Sequence, residues 1–404
     1  MIDRRSVLAG TMALPFAGGR ASTLETRRFD AILAAARGQT VLWNAWGGDE
    51  RTNTFIAWVG EEVRRLYGVT IVHVRLRDTA EAVTRVVAEK QAGRVSGGSV
   101  DLIWINGPNL LAMKSQKLLH GPMDEALPNW RFVDVIGKPS NVIDFTVPVE
   151  GLAVPWRLAQ VVFVYDSARK TLATLPKSAP ALLDWAAANP GRLAHPNARD
   201  FLGATFLKQA LVELASDSAM LAEPATDASF AATTATLWEW YKALRPHLWR
   251  NGRDFPETGP AALQLLNDGE IDLTLSFNPA EAAVSAAARR LPASARVYVM
   301  DGGTIGNTSF VAIPFNAANK EGAMVVADFL LAPATQARAQ DPGQIGAFSV
   351  LDIGKLPETD AQRFRALSSN AALPTNSDLG KSLPEPHASW MTRIVPFWEK
   401  LIVD

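Results

Sequence analysis

The stretch TVLWNAWGGDERTNTFIAWVGEEVRRLYGVTIVHVRL, residues 40–76, shows an alternation of apolar patterns that indicates the class of fold. Residues 40–45 form an apolar run typical of a buried strand, and Gly47-Gly48 follow as a turn. Apolar residues then recur with the period of a helix, at Phe55, Val59, Val63 and Leu66. Residues 68–76 return to the pattern of a strand. This order of strand, turn, helix and strand predicts an α/β unit with a parallel sheet.

The same alternation continues toward the carboxyl terminus. A helical pattern covers residues 79–92, and a strand pattern covers residues 100–105. Residues 147–167 form a long extended stretch with two prolines and no helix, which is typical of a crossover between lobes. A second α/β block follows, and residues 310–331 resume the pattern of the first block. We therefore expect two α/β lobes with mostly parallel central sheets, between which the chain crosses and returns.

The amino-terminal stretch MIDRRSVLAGTMALPFAGGRAS, residues 1–22, has the three parts of an export signal. It begins with the basic pair Arg4-Arg5, continues with a short apolar core and ends with small residues at Ala21-Ser22. The apolar core is too short to span a bilayer as a stable helix. Because paired arginines mark the twin-arginine route, we expect a signal peptide that directs the mature protein to the periplasm by that route.

The composition excludes several functional classes. A formal net charge of -1 gives no electrostatic preference for nucleic acid or for an anionic membrane surface. The absence of cysteine excludes disulfides, thiolate metal sites and a cysteine nucleophile. The five histidines are widely separated and show no ligand spacing, so we expect no metal site. Beyond the predicted signal, no apolar run approaches the length of a membrane span.

The sequence also contains no familiar catalytic motif. GxSxG, HExxH, a P-loop and a GxGxxG turn after a strand are all absent. Neighbouring acidic residues, such as Asp268 and Glu270, are explained equally well by a solvated turn. We therefore expect neither catalysis nor a cofactor. An exported hydrolase or transferase on the same two-lobed scaffold stays as the alternative, and it would need a pair of tuned titratable groups in the cleft.

The loops that follow the predicted strands carry aromatic, amide, hydroxyl and glycine residues. In such sheets ligands bind beyond the carboxyl ends of the strands. The loops contain Trp46-Gly47-Gly48, Trp104, Asn106-Gly107, Trp156-Arg157, Ser276-Phe277-Asn278 and Thr304-Ile305-Gly306-Asn307. Aromatic faces offer stacking area, amides and hydroxyls orient hydrogen bonds, and glycines expose backbone N–H groups. This combination predicts a site that binds a small molecule without reacting with it.

Structural alternatives exist for several of these residues. Trp43 and Trp104 lie within strand patterns, which favours a place in the core. Trp46 and Trp156 lie beside glycine or proline, so core packing and ligand contact are equally compatible with their positions. Arg157 is either a surface charge or the partner of an anionic ligand group.

The charge of the ligand is open at this stage. Helices expected to begin near Asn53, Asn109 and Gly203 would add partial positive charge to the cleft, which favours an anion. Asp49, Asp200 and the tryptophans would equally suit a cation. The sequence does not decide between the two.

A set of collinear stretches spans almost the whole predicted mature chain: TVLWNAWGGDERTN, GGSVDLIWINGPNL, VPWRLAQ, LAHPNARDFLGATFL, RPHLWRNGRDFP, LTLSFNPAEA, GTIGNTSFVAIPFNA, VVADFLLAPATQARAQDP and EPHASW. In these stretches the sequence resembles the solute-binding proteins of bacterial ABC importers, and among them the YnjB-type group. The resemblance implies a type II periplasmic-binding fold, in which a hinge of crossing strands joins two α/β lobes and solute is held in the cleft between them.

The resemblance also implies ligand contacts. Together with Arg157, the predicted contacts are Trp46, Gly47, Gly48, Asn106, Gly107, Trp156, Ser276, Asn278, Thr304 and Asn307. The YnjB-type group usually has glycine after Pro-Trp, where this chain has Arg157, so either the pocket differs here or this position does not touch ligand.

The division into domains that we expect has two discontinuous lobes. Residues 30–157 and 301–341 form the first lobe, residues 158–300 and 345–404 form the second, and the hinge lies near residues 155–162, 297–303 and 341–348.

The function implied is that of an extracytoplasmic receptor. It captures a small polar solute between its lobes and delivers it to a membrane permease driven by a cytoplasmic ATPase. We expect a monomer that contacts the inner membrane only through the permease and that has no nucleic-acid partner. A sensory binding protein with the same fold is a further alternative, because fold alone does not separate the two roles.

Overall fold

A computed structural model describes residues 28–367, 373–374 and 379–403. The predicted signal peptide at residues 1–22 lies outside the described residues, and so does part of the stretch before the last helix. None of the described helices is long and apolar enough to cross a membrane.

Strands and helices alternate along most of the chain. The strands are β1 (Thr40–Trp46), β2 (Thr70–Leu76), β3 (Leu102–Ile105), β4 (Ile143–Asp144), β5 (Val147–Pro148), β6 (Val154–Gln160), β7 (Val162–Asp166), β8 (Leu273–Ser276), β9 (Ala295–Tyr298), β10 (Thr304–Ala312) and β11 (Ser382–Leu383). The helices are α1 (residues 28–36), α2 (Glu50–Tyr67), α3 (Ala80–Gln91), α4 (Gly107–Ser115), α5 (Ala179–Ala188), α6 (Phe201–Leu214), α7 (Asp227–Leu244), α8 (Gly259–Asn267), α9 (Glu281–Ala287), α10 (Lys320–Leu331), α11 (Pro333–Gln340), α12 (Glu358–Leu367) and α13 (Ala388–Val403).

Helix α2 shows how local sequence sets an element. Its N-cap is Asp49, whose carboxylate accepts a hydrogen bond from the backbone N–H of Thr52 at 3.3 Å. Its apolar face is buried against the first sheet through Phe55, Val59 and other residues at helical spacing. The helix ends at Gly68, which has a φ of 70° and therefore adopts the left-handed conformation that glycine accepts without strain.

The first sheet is mixed rather than mostly parallel. Strand β1 pairs in parallel with β2 and β3, as the sequence predicts. Strand β10, however, returns from the second lobe and pairs antiparallel with both β3 and β6. The predicted fold class is confirmed, and this one feature of it is corrected. The reason is that β10 enters the sheet from the opposite end, so no right-handed helical crossover connects it to its neighbours.

The second sheet departs further from the prediction. Its order is β8-β7-β9, and both pairings are antiparallel. Helices α5, α6 and α7 pack on it around a second hydrophobic core that contains Phe206, Trp240 and Tyr241. A capping box between Thr226 and Ser229 starts helix α7 at Asp227.

Two extended segments connect the lobes. Strands β6 and β7 are separated only by Val161, so the chain passes from the first sheet to the second almost without interruption. Strand β10 runs back alongside, and the Val161 backbone N–H donates to the Ile305 carbonyl at 2.8 Å. Ile305 packs in the second core. Val311, at the other end of the same strand, packs in the first hydrophobic core, which contains Trp43, Phe55 and Trp156.

The expected division into domains stays a prediction, and the packing differs from it in one stretch. Ile345, Val350 and Phe364, which the sequence assigns to the second lobe, pack in the first core. Trp390 and Trp398 of α13 pack in the second core, as expected for the carboxyl-terminal residues. The difference arises because α11 and α12 contact each other, so the chain after residue 341 stays with the first lobe before it crosses again.

Candidate functional site

A cleft of about 840 Å³ lies between the two lobes. Clefts of this volume are typical of small-molecule sites. The first lobe contributes residues at the ends of β1, β2 and β3, namely Trp46, Asp49, Arg51, Thr52, residues 77–80, Trp104, Asn106, Pro108 and Asn109. The second lobe contributes residues 199–202, Gly259, Pro260, residues 275–278, Glu281 and Arg290. The crossing strands form its floor with Arg157, Ala159, Asn307 and Ser309.

Six of the described helices begin at this cleft: α2, α3 and α4 in the first lobe, and α6, α8 and α9 in the second. Asp49 and Asn106 are the N-caps of α2 and α4 in the first lobe, and Asp200 is the N-cap of α6 in the second. Helix α8 begins at Gly259, which also lines the cleft. Because helix N-termini carry partial positive charge, their convergence favours negative charge in the cleft. The side chains of Asp49 and Asp200 satisfy their own helix ends, whereas Asn106 makes no capping hydrogen bond.

Aromatic rings line the cleft from both sides. Trp46 and Trp104 of the first lobe meet edge to face, with ring centroids 6.5 Å apart. Phe201 and Phe277 of the second lobe make a similar pair at 5.7 Å. Gly48 provides the space for the Trp46 indole, because a Cβ atom at this position would lie 2.4 Å from Trp46 Cζ2. The cleft therefore presents apolar ring surface to a bound molecule from each lobe.

A cluster of charged residues connects the lobes across the cleft. Arg51 of the first lobe contacts Asp49 at 3.3 Å and Glu281 of the second lobe at 3.4 Å. Arg290 approaches the same oxygen of Asp49 at 3.7 Å. Burial by itself would raise the pKa of Asp49, but Arg51, the hydrogen bonds from Thr52 and Arg290 hold it below its usual value. Asp49 is therefore an ionised carboxylate that is already paired with Arg51 and Arg290.

Arg157 lies on the cleft floor and forms no ion pair with a carboxylate of the described residues. It is half-buried on β6, and its guanidinium carbon lies 5.5 Å from the Trp104 ring and 5.6 Å from the Trp156 ring. Its Nε is buried and makes no hydrogen bond to any described residue. Desolvation lowers the pKa of Arg157 to about 10, so the side chain is still a cation at neutral pH.

The structure brings six of the predicted site residues to the cleft: Trp46, Asn106, Arg157, Ser276, Asn278 and Asn307. Three of the six are already engaged: Ser276 donates to Glu281 at 2.9 Å, Asn278 to the Ile345 carbonyl at 3.0 Å and Asn307 to Glu385 at 2.9 Å. Their contact with ligand stays a prediction.

The other predicted residues lie beside or beneath the cleft. Gly47 and Gly48 follow β1 without lining the cavity, and Gly107 packs against the ring of Phe145. Trp156 is 1% exposed and lies in the first core, and Thr304 is fully buried and accepts a hydrogen bond from Gln160 at 3.1 Å. Trp104 differs in the other direction, because it lines the cleft where the sequence favours the core.

Sequence reasoning did not identify Arg51, Glu281, Phe201 or Arg290 as cleft residues. Arg51, Phe201 and Glu281 lie in the first turn of α2, α6 and α9. Arg51 and Glu281 lie three residues after Gly48 and Asn278, and Phe201 directly follows Asp200, so all three lie within one helical turn of residues that the sequence predicts at the cleft. Nothing in the local sequence distinguishes Arg290, because its position opposite Asp49 depends on how the lobes meet.

A second, buried network lies beneath the cleft. Lys208 of α6 and Glu385 form an ion pair with Nζ and Oε2 2.6 Å apart, and both side chains are at most 1% exposed. Asn307, which lines the cleft, donates to the other oxygen of Glu385 at 2.9 Å. Asp144 accepts from the Gly107 backbone N–H at 2.5 Å, while its Oδ1 is buried without a partner. Burial, together with Glu385, raises the pKa of Asp144 to about 8.

The raised pKa of Asp144 predicts a specific pH dependence. The folded protein holds a proton that the unfolded chain, with the ordinary pKa of 3.8, has already released. Stability should therefore fall as pH rises from about 4 to about 8, by at most about 1.4 kcal/mol per pH unit, and then level off. Asp144→Asn removes this titration, so we expect the variant to gain stability relative to the wild type over that range.

Urea unfolding between pH 5 and pH 9 measures this difference. Asp268→Asn provides the matched control, because it makes the same substitution at an exposed carboxyl. A difference between Asp144→Asn and the wild type that does not change with pH would contradict the prediction.

The described residues contain no group of three or more His, Asp or Glu side chains that could hold a metal ion.

Two α/β lobes with a polar and aromatic cleft between them define a two-lobed binding protein. A family model described as bacterial extracellular solute-binding protein matches residues 60–351, and the chain belongs to this family. Protein YnjB of Escherichia coli (strain K12) is 44% identical to the chain over 364 residues, which cover 90% of this chain and 91% of that protein.

Solved structures agree on the fold. Iron-bound HitA from Pseudomonas aeruginosa superimposes with a TM-score of 0.62 at 15% identity, covering 90% of this chain and 99% of HitA. The periplasmic binding protein AfuA from Actinobacillus pleuropneumoniae, with exogenous fructose-6-phosphate bound, gives a TM-score of 0.60 at 16% identity, covering 90% and 99%. The predicted type II periplasmic-binding fold and the role as substrate-binding component of an ABC importer are confirmed.

Membership of the family also bears on location, partners and catalysis. Proteins of this family function outside the cytoplasm and work with ABC permease and ATPase components. They are generally not enzymes.

Proposed function

We propose that this chain holds its solute in the cleft between the lobes and releases it unchanged to an ABC permease. The observation that carries the proposal is the composition of the cleft wall: both lobes supply helix N-termini, aromatic rings and hydrogen-bonding groups to one cavity of about 840 Å³. A solute in that position touches both lobes at once. Binding therefore stabilises the closed arrangement, and the permease can recognise closure.

The cleft supports binding rather than turnover. A hydrolase or transferase would need a free acid and base facing the substrate. Here Asp49 and Glu281 are held in ion pairs, and Asp200 caps α6. Burial raises the pKa of Asp200, but this carboxyl is committed to capping α6. Asp144 and Glu385, two further carboxyls with raised pKa, lie beneath the cleft and outside its lining. We therefore propose that the chain is not an enzyme.

The proposal also covers the location, the export route and the oligomeric state of the protein. We propose a monomeric periplasmic receptor, exported by the twin-arginine route, that reaches the inner membrane only through its permease. A sensory role is the competing reading of the same fold. Deleting the permease separates them, because an importer then loses solute uptake whereas a sensor keeps its transcriptional or motility response.

The identity of the solute does not follow from the fold. HitA is iron-bound and AfuA has exogenous fructose-6-phosphate bound, and the chain is at most 16% identical to either protein. A thermal-shift screen of the purified protein against sugars, amino acids, polyamines, organic acids and phosphoesters gives the first test. A ligand at a hundred times its Kd adds about 2.7 kcal/mol of stability, which raises the melting temperature by several degrees.

Trp46→Ala tests the position of the site. Trp46 is half-buried at the cleft, so we expect the solute found in the screen to bind about ten- to a hundredfold more weakly once the stacking surface is lost. The melting temperature of the unliganded variant should stay within a few degrees of the wild type. Titration calorimetry and thermal unfolding measure the two effects.

Trp249→Ala is the matched control for this experiment. Trp249 is also half-buried, but it does not line the cleft. Unchanged affinity in Trp46→Ala, or equal losses in both variants, would place the site elsewhere.

A further inference from the structure

We propose that the solute carries an anionic group, a carboxylate or a phosphate, and that the guanidinium groups of Arg157 and Arg51 bind it. This inference rests on the proposed function, since it assumes that the cleft holds the solute. It assigns a charge to the solute, which the sequence leaves open.

Arg157 provides the first observation. Its guanidinium group lies on the floor of the cleft among Trp104 and Trp156, and its Nε is buried without an acceptor. No described residue forms an ion pair with it at 4.0 Å or less. A partly buried cation without a hydrogen-bonded partner is costly to fold, because its lost hydration is not replaced. Such a group is retained where a ligand supplies the missing acceptor.

Arg51 provides a second unsatisfied donor in the same cleft. Its Nε and Nη2 contact Asp49 and Glu281, but its Nη1 is buried without a partner among the described residues. The two contacts measure 3.3 and 3.4 Å, which is long for a charge-assisted hydrogen bond. The Arg51 side chain therefore has a free donor that a further acceptor in the cleft would use.

The charge balance around Arg157 supports an anion. Two carboxylates, Asp49 and Glu281, face three guanidinium groups, those of Arg51, Arg157 and Arg290. Both carboxylates are already occupied, Asp49 by two arginines and Glu281 by Arg51 together with the hydroxyl groups of Ser276 and Ser285. One positive charge is left over, and one anionic group neutralises it.

The same contacts disfavour a cationic solute. Asp49 would have to release its arginines to bind a cation, and Asp200 would have to give up the backbone N–H groups that it caps. The cation would also lie close to Arg157. An organic anion needs none of these changes, and the ring faces of Trp46 and Trp104 can cover its carbon skeleton.

Calorimetric titration of the purified protein with matched pairs of compounds tests the proposal. The carboxylate arm compares gluconate with glucose, the phosphate arm compares glycerol 3-phosphate with glycerol, and spermidine is the cation. The thermal-shift screen extends the same comparison to further organic acids, phosphoesters, sugars and amines. We expect the compounds that bind to be anions, with their neutral counterparts at least tenfold weaker, and the arm that responds identifies the anionic group.

Variants then show which residue binds the charge. Arg157→Gln should weaken the binding of the anion by about ten- to a hundredfold, because it removes a charge-assisted hydrogen bond. Arg157→Lys keeps the charge and should lose less. Arg338→Gln is the matched control, since Arg338 also lies over a tryptophan, with its guanidinium carbon 4.4 Å from the Trp58 ring, but outside the cleft. Its affinity should equal that of the wild type.

The outcomes separate this inference from the proposed function. If a neutral or cationic solute binds best, or if Arg157→Gln binds the anion as well as the wild type does, the inference fails while the cleft remains the solute site. If no compound of any charge binds, the proposed function fails with it. The melting temperature of unliganded Arg157→Met gives an independent check: it should equal or exceed that of the wild type, and a marked decrease would assign Arg157 a structural role instead.

Discussion

Glu385→Ala is expected to lower the free energy of unfolding by roughly 3–5 kcal/mol, because it leaves a buried ammonium group without its anion. Lys208 is fully buried beneath the cleft, with its Nζ 2.6 Å from Glu385. Its other close neighbours are the rings of Phe145 and Phe201, whose centroids lie 4.6 and 4.9 Å from Nζ. Burial lowers the pKa of Lys208, and the negative charge of Glu385 opposes that shift. Each charge is therefore stable at this buried position only because the other is present.

Urea unfolding monitored by tryptophan fluorescence measures this loss. The double variant Lys208→Met/Glu385→Leu is the control, since replacing a buried ion pair with apolar side chains is often close to neutral. We expect its stability to lie much nearer the wild type than that of Glu385→Ala. If Glu385→Ala loses less than about 1 kcal/mol, Asp144 has replaced Glu385 as the partner of Lys208, or Lys208 has become neutral.

Trp156→Ala has the second large expected effect, a loss of about 3–5 kcal/mol, because it leaves a large cavity in the first core. Trp156 is 1% exposed, and its ring contacts those of Trp104, Phe55 and Trp43 at centroid distances of 5.0, 6.3 and 6.2 Å. By its position in sequence this residue is equally compatible with ligand contact. Its surroundings in the structure instead predict a change in stability.

Trp156→Phe is the matched control. The Trp156 Nε1 is buried without a hydrogen-bond partner, so phenylalanine keeps most of the apolar contact and removes only an unsatisfied donor. We expect it to lose well under half of what Trp156→Ala loses. Chemical denaturation of the unliganded proteins measures both, and a Trp156→Ala protein as stable as the wild type would contradict the placement of this residue in the core.

The elements that depend on local patterns were predictable. The strand, turn and helix of residues 40–67 follow from apolar periodicity, and α3 lies close to its predicted position. The loops at the cleft could also be predicted from the sequence, because ligand sites in such sheets lie beyond the carboxyl ends of strands. Trp46 and Asn106 reach the cleft for that reason, whereas Asn307 reaches it from within β10.

Strand direction was less predictable than strand position. The sequence predicts a loop at residues 304–307, whereas in the structure β10 covers Thr304–Ala312. Apolar alternation also carries no information about the direction of the neighbouring strands. The antiparallel pairing of β10 with β3 and β6 follows from the path by which the chain returns between the lobes. For the same reason, local patterns do not predict the antiparallel pairings of the second sheet or the packing of residues 345–364 in the first core.

The class of fold, the alternation of its elements, the type of residue at the cleft and the family are all predictable from the amino-acid sequence. The role of each residue depends on how the chain packs. Packing buries Trp156, exposes Trp104 to the cleft and leaves Arg157 without an acceptor. It also pairs Lys208 with Glu385, 177 positions later in the chain. The reason is physical: periodicity and capping act within a few residues, whereas burial and charge pairing depend on segments that meet only after the chain has folded.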